Sequence, residues 1–347
     1  MKKHLNTLYI TSNGAYLRQE HETFVVEIKD SEGNWKKAFQ APIHTIENIV
    51  CFGFNPISPQ LMAVCAEKNV GISFLTETGK FLARVYGAQK GNVILRKAQY
   101  AISDNESESL KIAKAIVAAK VSNYRHLLLR HQRNHQDICP HSVKIASEQL
   151  GNRLQKIYGA ESLNELNGYE GECASIYFGE LSNLITNQKD DFKFNQRSKR
   201  PPLDPANALL SFLYAVLAND VRSALETVGL DPQVGFFHRI RPGRPSLALD
   251  MMEEFRAYLG DRIMLNLINL KQITIKDFEF RESGEVRISD NARKEILSAY
   301  QKKKLEEITH PFLSEKMTIG LLPHIQAQLL ARYIRGDMEN YPPFYLK

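Results

Sequence analysis

The chain changes its hydrophobic period once, and that switch narrows the folds open to it. From Leu5 to about Val85 apolar residues come in short strand-like runs: Leu5 to Thr11, Tyr16 to Glu20, Thr23 to Lys29, Trp35 to Ala41 and Ile46 to Phe52. Ser12-Asn13-Gly14 and Asp30-Ser31-Glu32-Gly33-Asn34 read as hairpin connections. Ser58-Pro59 opens a short amphipathic helix, and Gly71 to Val85 reads as a hairpin turning at Glu77-Thr78-Gly79. After Gly87-Ala-Gln-Lys-Gly91 the period becomes helical and stays so for most of the remainder. The pattern predicts an α+β protein: a small N-terminal β-rich domain over residues 1–86, a linker at 87–91, and a larger all-α domain over 92–347. No His, Cys and carboxylate residues cluster at ligand spacing in the first of these, so it reads as a scaffold or dimerisation module.

The helical part concentrates the chemistry. A helix from about Ser107 to Gln132 carries Leu110, Ala113, Val117, Val121, Tyr124 and Leu128 on a core face. Between Lys111 and Gln136 there is no Asp or Glu, while Lys111, Lys114, Lys120, Arg125, Arg130 and Arg133 are present with His126, His131 and His135 interleaved. A one-signed helix suits a phosphate backbone, and a solvated surface helix is the open alternative. His131, His135 and Cys139 share zinc-like spacing, but Pro140 and the break after it leave a fourth ligand unspecified, so zinc is set aside. Ser142 to Ile185 continues as helices with breaks near Tyr158–Ser162 and Asn164–Gly168. Past the second break, Glu170 aligns with Ala174, Tyr177 and Leu181 and is expected to point inward, where a carboxylate needs a cation, a hydrogen-bond network or a proton. Glu172 projects elsewhere and should be replaceable.

Thr186 to Pro202 is polar and aperiodic and reads as a mobile loop, in which Arg197, Lys199 and Arg200 are available to nucleic acid or, as the open alternative, simply keep the loop solvated. Asp204-Pro205 starts a helix that is mostly core. Then comes the densest stretch, Gly229 to Arg256. A Gly- and Pro-punctuated loop delivers His238, then Arg239, Arg241 and Arg244, and a helix carries Asp250, Glu253 and Glu254 on one face. Farther on, Phe278 to Ile288 reads as a hairpin, Asp290 as the cap of a helix with a basic Gln301–Lys304 end, solvated or, as the open alternative, touching DNA through Lys302 to Lys304, and Phe312 to Arg335 as an amphipathic segment closing the core.

Glu170, His238 and Glu253 together make a mixed oxygen and nitrogen set that suits Mn²⁺ or Mg²⁺ better than zinc, with Asp250 and Glu254 in possible support. The loop arginines beside it could grip phosphate. A divalent cation next to phosphate clamps serves in-line displacement at a phosphodiester. Spacing alone leaves a structural histidine and solvated helix acids as the open alternative. A net charge of +6, from 45 basic and 39 acidic residues, is too mild to name a partner. Four widely spaced cysteines, a start without the apolar core of a signal peptide, and a longest apolar run, Ala208 to Ala218, too short to span a bilayer point to a reducing, cytoplasmic setting with no membrane.

Four segments together carry a family resemblance. Gly168-Tyr169-Glu170-Gly171 precedes Ala174 and the Tyr177-Phe178 pair. Asp204-Pro-x-Asn207-Ala-Leu-Leu-Ser-Phe-x-Tyr214 follows, then the Gly229-Leu-Asp-Pro-x-x-Gly-Phe-x-His238 loop and the Gly243-Arg-Pro-Ser-Leu-Ala-Leu-Asp250-x-Met-Glu253-Glu254-Phe-Arg256 stretch. In this order they resemble the CRISPR-associated integrase family, Cas-one, over essentially the whole chain. The Asp250–Arg256 wording and the Tyr341-Pro-Pro-Phe344 tail look like its subtype I-C branch. The resemblance implies a metal-dependent DNA integrase and endonuclease that joins 3′-hydroxyl ends of incoming DNA to the leader-repeat boundary of a CRISPR array by transesterification. It implies Glu170, His238 and Glu253 as catalytic metal ligands. It also implies homodimers formed through the β-rich domain, a heterohexamer with a dimer of the small Cas-two partner, double-stranded DNA substrates and, in some subtypes, a Cas-four nuclease. The rival readings are a stand-alone metal-dependent nuclease acting on branched DNA in repair, and a non-catalytic DNA-binding scaffold.

Overall fold

The alternating runs of the first unit build two sheets instead of one meander. The computed structural model describes residues 7–77, 79, 81–85 and 93–346, and the chain divides into compact units over residues 1–91 and 92–347. The linker expected at 87–91, the start of the first strand at Leu5 and Thr78 of the last hairpin turn lie outside the described residues. In the first unit, β1 (Thr7–Ile10), β5 (Asn48–Phe52), β6 (Gly71–Leu75) and β7 (Phe81–Val85) form a sheet in the order β1-β5-β6-β7, parallel except for the last pair. A second, antiparallel sheet joins β2 (Tyr16–Glu20), β3 (Thr23–Lys29) and β4 (Trp35–Pro42). Leu17, Phe24 and Val26 of the second sheet pack with Ile10, Ile49, Cys51 and Ile72 of the first and with Leu61 and Cys65 of α1 (Pro59–Glu67), whose start is capped by Ser58.

One expected hairpin is wrong. Ser12-Asn13-Gly14 does not return β1 on itself, because β1 pairs with β5 and β2 pairs with β3 in the other sheet. The turn closes across the unit instead: Gly14 N donates to Phe54 O at 3.0 Å, Phe54 N to Asn13 Oδ1 at 3.1 Å and Ala15 N to buried Asn55 Oδ1 at 2.9 Å. The Asp30–Asn34 hairpin is present, its Asp30 Oδ1 accepting from Glu32 N and Asn34 N.

The second unit is helical but not all-α, a correction to the sequence reading. Its helices are α2 (Val93–Asp104), α3 (Glu106–Asn134), α4 (His141–Gly159), α5 (Leu163–Gly179), α6 (Leu181–Leu184), α7 (Pro205–Val228), α8 (Ser246–Met252), α9 (Arg262–Asn269), α10 (Asp290–Leu305) and α11 (Leu322–Ile334). Two hairpins interrupt them: the expected β8 (Phe278–Phe280) with β9 (Val286–Ile288), and an unforeseen β10 (Glu307–Thr309) with β11 (Lys316–Thr318). The second takes up part of the Phe312–Arg335 segment read as amphipathic. Its turn is built by His310, which accepts from Ser314 N at 2.8 Å and donates to Glu315 O at 2.8 Å. Ser289, not Asp290, caps α10. Lys303 and Lys304 at its end are buried, Lys304 against Asp220 at 2.7 Å, while Lys302 is exposed, so only part of that end is solvated.

Two further expectations fail for local reasons. The break at Asn164–Gly168 does not exist: Ser162 caps α5 through Glu165 N, Leu166 is buried, and the helix runs on through Glu170. Nor is Thr186–Pro202 a loose loop. Phe192 and Phe194 are buried, Gln188 Nε2 donates to Ile268 O and Ile273 O, and Thr186 N to Asn269 Oδ1, which satisfies the irregular backbone from side chains. Helix α7 is long and apolar enough to cross a membrane by composition, yet 78% of its most apolar window is buried within the fold. At its start Asp204 accepts from Asn207 N at 2.8 Å. Replacing Asp204 with Ala should lower unfolding free energy by about 1 kcal/mol in urea titrations, the usual cost of a lost N-cap.

Candidate catalytic site

Helix α7 ends at Gly229, whose φ of 94° is left-handed, and the chain turns into the loop that carries His238. Gln99 of α2 holds the near side of that loop, donating to Asp231 O and Val234 O at 2.8 Å and accepting from Asp231 N at 2.9 Å. Asp250 of α8 holds the far side. Its buried carboxylate accepts from Phe236 N, Phe237 N and His238 N at 2.7, 3.0 and 2.8 Å, and its Oδ1 lies 2.7 Å from His238 Nδ1. A carboxylate only accepts, so Nδ1 carries the proton of this bond, and it is Nε2 that the neutral ring would offer to a metal. Asp250 is thus an orienting residue behind the histidine. The fit is close: a Cβ on Gly235 would meet Asp250 Oδ2 at 2.6 Å and Leu247 N at 2.9 Å.

The three acids expected on one helix face part company. Helix α8 stops at Met252, Glu253 to Phe255 form turns, and Arg256–Asp261 is a π-helix, so the angle per residue changes within the motif. Glu253, 2% exposed, points to Lys120 of α3 and to Arg256, with Oε2 2.7 Å from Lys120 Nζ and Oε1 3.1 Å from Arg256 Nη2. Glu170 of α5 contacts the same ammonium. Its side chain is 21% exposed, so it stands at the open side of the cluster. Burial works against the Glu253 charge, but Arg256, Lys120 and His238 outweigh it and hold the carboxyl down at about 2. Glu253 Oε2 is buried and its partner at that end is the Lys120 ammonium.

Glu254 turns the opposite way. It accepts from Tyr341 OH at 2.6 Å, Phe344 N at 2.7 Å and Gln326 Nε2 at 2.9 Å, which binds the Tyr341–Phe344 tail. Asn123 of α3 ties the Glu254 turn to the same tail, donating to Glu254 O and Phe344 O and accepting from Leu346 N. Beneath the cluster, Tyr124 and Tyr177 stack at 3.8 Å, Tyr177 and Tyr214 both donate to buried Asp261, and the Arg256 guanidinium lies 4.9 Å from the Tyr214 ring. Burial raises the Asp261 carboxyl to about 6.

The basic residues expected to meet DNA have mixed fates. Lys120 is a correction: it is buried and paired with Glu170 and Glu253. Arg125 is half-buried, its Nε donating to Ser147 O at 3.1 Å to tie α3 to α4. The Arg197 guanidinium is committed to Asn207, Ser198 and Ser211 and lies 5.5 Å from the Tyr214 ring. Arg133, Lys199, Arg200, Arg239 and Arg241 are exposed and Arg244 half-buried; Arg239 reaches Asn164 at 3.1 Å, and Lys199 is within electrostatic range of Arg256, Glu253 and Lys120. Half-buried Arg130 joins Arg262 and Lys303 near the Tyr258 ring, where their charges oppose one another. Glu172, the expected bystander, pairs with Arg153 at the surface. Lys120, Arg256, Asn123 and the tail were missed as parts of the site. The one available signal was a lysine placed among the apolar positions Ile116, Val117, Val121 and Tyr124.

Solved structures share the fold. A casposase bound to integration product superposes with a TM-score of 0.85 at 21% identity, covering 99% of this chain and 95% of that one. A Cas6-RT-Cas1–Cas2 complex gives 0.80 at 22% identity, covering 100% of this chain and 37% of that one. In sequence, the CRISPR-associated endonuclease Cas1 1 of Chlorobaculum tepidum is 48% identical over 345 residues, 99% of each chain, and the family described as CRISPR associated protein Cas1 matches residues 8–302. The chain belongs to the Cas1 family of CRISPR-associated endonucleases.

Two outcomes test this geometry. Gly235→Ala should destabilise the fold by roughly 3 kcal/mol or more in urea unfolding, because the crowding atoms include backbone. Glu254, pushed up by burial from 4.5 to about 7, stabilises the fold fully below pH 4.5, and this contribution is lost as pH rises through 7. Its share of the pH dependence is about 3 kcal/mol, and Glu254→Gln should flatten the stability profile across that window relative to wild type.

Proposed function

We propose that Glu170, His238 and Glu253 hold a divalent cation, Mn²⁺ or Mg²⁺, and that the site joins 3′-hydroxyl ends of incoming DNA to the leader-repeat boundary of a CRISPR array. The observation that carries this is the convergence of two acids on one buried ammonium: Glu253 Oε2 lies 2.7 Å from Lys120 Nζ, Glu170 contacts the same Nζ, and His238 is near enough to act on the Glu253 carboxyl. Among the described residues no three His, Cys, Asp or Glu side chains already converge as a finished metal cage. The donors nevertheless fit a hard cation, with two carboxylates and one oriented imidazole. Asp250 and Glu254 are not in the proposed set, since both carboxylates are spent on other partners.

When bound, the cation would polarise the phosphodiester and favour the attacking alkoxide. The protein's part is orientation and charge. Asp250 fixes the imidazole, Arg256 keeps Glu253 ionised, and the Tyr177–Asp261–Tyr214 floor immobilises the turn that carries both. One phosphodiester forms as another breaks, so strand joining and its reversal on branched DNA would use the same groups.

We carry the partners over from the family. These are a homodimer through residues 1–86, a Cas2 dimer completing a heterohexamer, double-stranded DNA and, as in some subtypes, a Cas4 nuclease that trims ends; the Asp250–Arg256 wording and the Tyr341–Phe344 tail resemble the subtype I-C branch. The test is strand transfer with Mn²⁺ on supercoiled DNA carrying a leader and repeat, with and without Cas2. Glu170→Ala and His238→Ala should lower joined product by about a hundredfold or more, while Glu172→Ala stays within about twofold of wild type. Full joining by either of the first two variants would refute the ligand set. Cut but never joined products would favour the stand-alone nuclease.

A further inference from the structure

We propose that Lys120 is a built-in counter-ion that competes with the divalent cation for Glu170 and Glu253. This rests on the ligand set proposed above. The Lys120 ammonium contacts Glu170, lies 2.7 Å from Glu253 Oε2 and is only 4% exposed. A buried ammonium is costly to hold unless paired, and the groups pairing it are the acids needed by the metal. The Tyr124 ring, 5.7 Å from Nζ, adds a further favourable surface for the charge.

The local charge count sharpens the point. In the ion pairs themselves two acids, Glu170 and Glu253, oppose two cations, Lys120 and Arg256, so each acid is already matched without a metal. A divalent ion entering with the ammonium in place would put strong positive repulsion inside a buried site. Arg256 is fixed by the Tyr214 face and by Glu253, whereas the lysine stem has four rotatable bonds, so Lys120 is the cation that yields. Lys120 thereby keeps the two acids paired before metal arrives, at the expense of metal affinity.

The experiment uses the purified full chain and Mn²⁺ alone, with binding read by calorimetry and thermal unfolding followed in EDTA and in Mn²⁺. Lys120→Met should bind Mn²⁺ about tenfold tighter than wild type, unfold at a lower temperature in EDTA, and show a larger Mn²⁺-induced rise. Affinity equal to or weaker than wild type would overturn the proposal, as expected of a lysine that serves the DNA substrate instead. Glu170→Ala separates the two layers: if it leaves Mn²⁺ binding of the wild-type protein unchanged, the ligand set itself has failed. A measurement on the unaltered protein covers the case of a variant that does not fold. Labelling of Lys120 by an amine-reactive reagent, read by peptide mass spectrometry, should rise severalfold on adding Mn²⁺, and unchanged labelling would equally sink the idea.

Discussion

The Asp250 carboxylate accepts from three successive backbone N–H groups and from the His238 ring, so one side chain sets both the path of the loop and the tautomer of its imidazole. Its own place is secured by burial in α8 beneath Gly235, where no larger residue would fit. The charge of Asp250 is absorbed by N–H dipoles and the ring N–H, so it needs no metal to be tolerated in the interior. This is why an acid that looks like a ligand by spacing behaves as support.

The second constraint is the change of helix type after Met252. Had the α-helix continued, Glu253 and Glu254 would have stayed about 100° apart on a regular helix, with Asp250 stacked one turn away on the same side as both. The turns and the π-helix redirect them, one to Lys120 and Arg256 and the other to the tail. Gly260 sits against the Tyr214 ring within that π-helix, where a Cβ would be 2.5 Å from a ring carbon, so the widened backbone and the aromatic floor are matched. Two adjacent identical residues thereby acquire opposite roles. Glu253 is held ionised by neighbouring cations, and Glu254 is pushed towards neutrality by burial.

Local signals were legible in the sequence: the period switch, the Asp204 cap, the Asp30–Asn34 and Phe278–Ile288 hairpins, and the inward line of Glu170. They depend on residues a few positions apart. What escaped depends on distant pairs. Lys120 read as one more charge on a basic helix because its partners lie far along the chain. The parallel pairing of β1 with β5 overrode a good turn sequence at Ser12–Gly14. At Asn164–Gly168 helix-breaking composition was overruled by a cap at Ser162 and burial of Leu166. The splaying of the three acids was hidden because α and π helices share the same apolar composition, and only the geometry distinguishes them.

Asn123 has a role larger than its size. One amide, fully buried, closes hydrogen bonds to the carbonyl of Glu254, to the carbonyl of Phe344 and to the N–H of Leu346. Lifting the tail would strand these groups, together with the Glu254 carboxylate, in a dry interior, and each orphaned group carries a desolvation penalty. Partial release therefore gains little chain entropy for the contacts it forfeits. The tail, the middle of α3 and the turn bearing Glu253 belong to one cooperative unit in local unfolding, opening together or staying closed together.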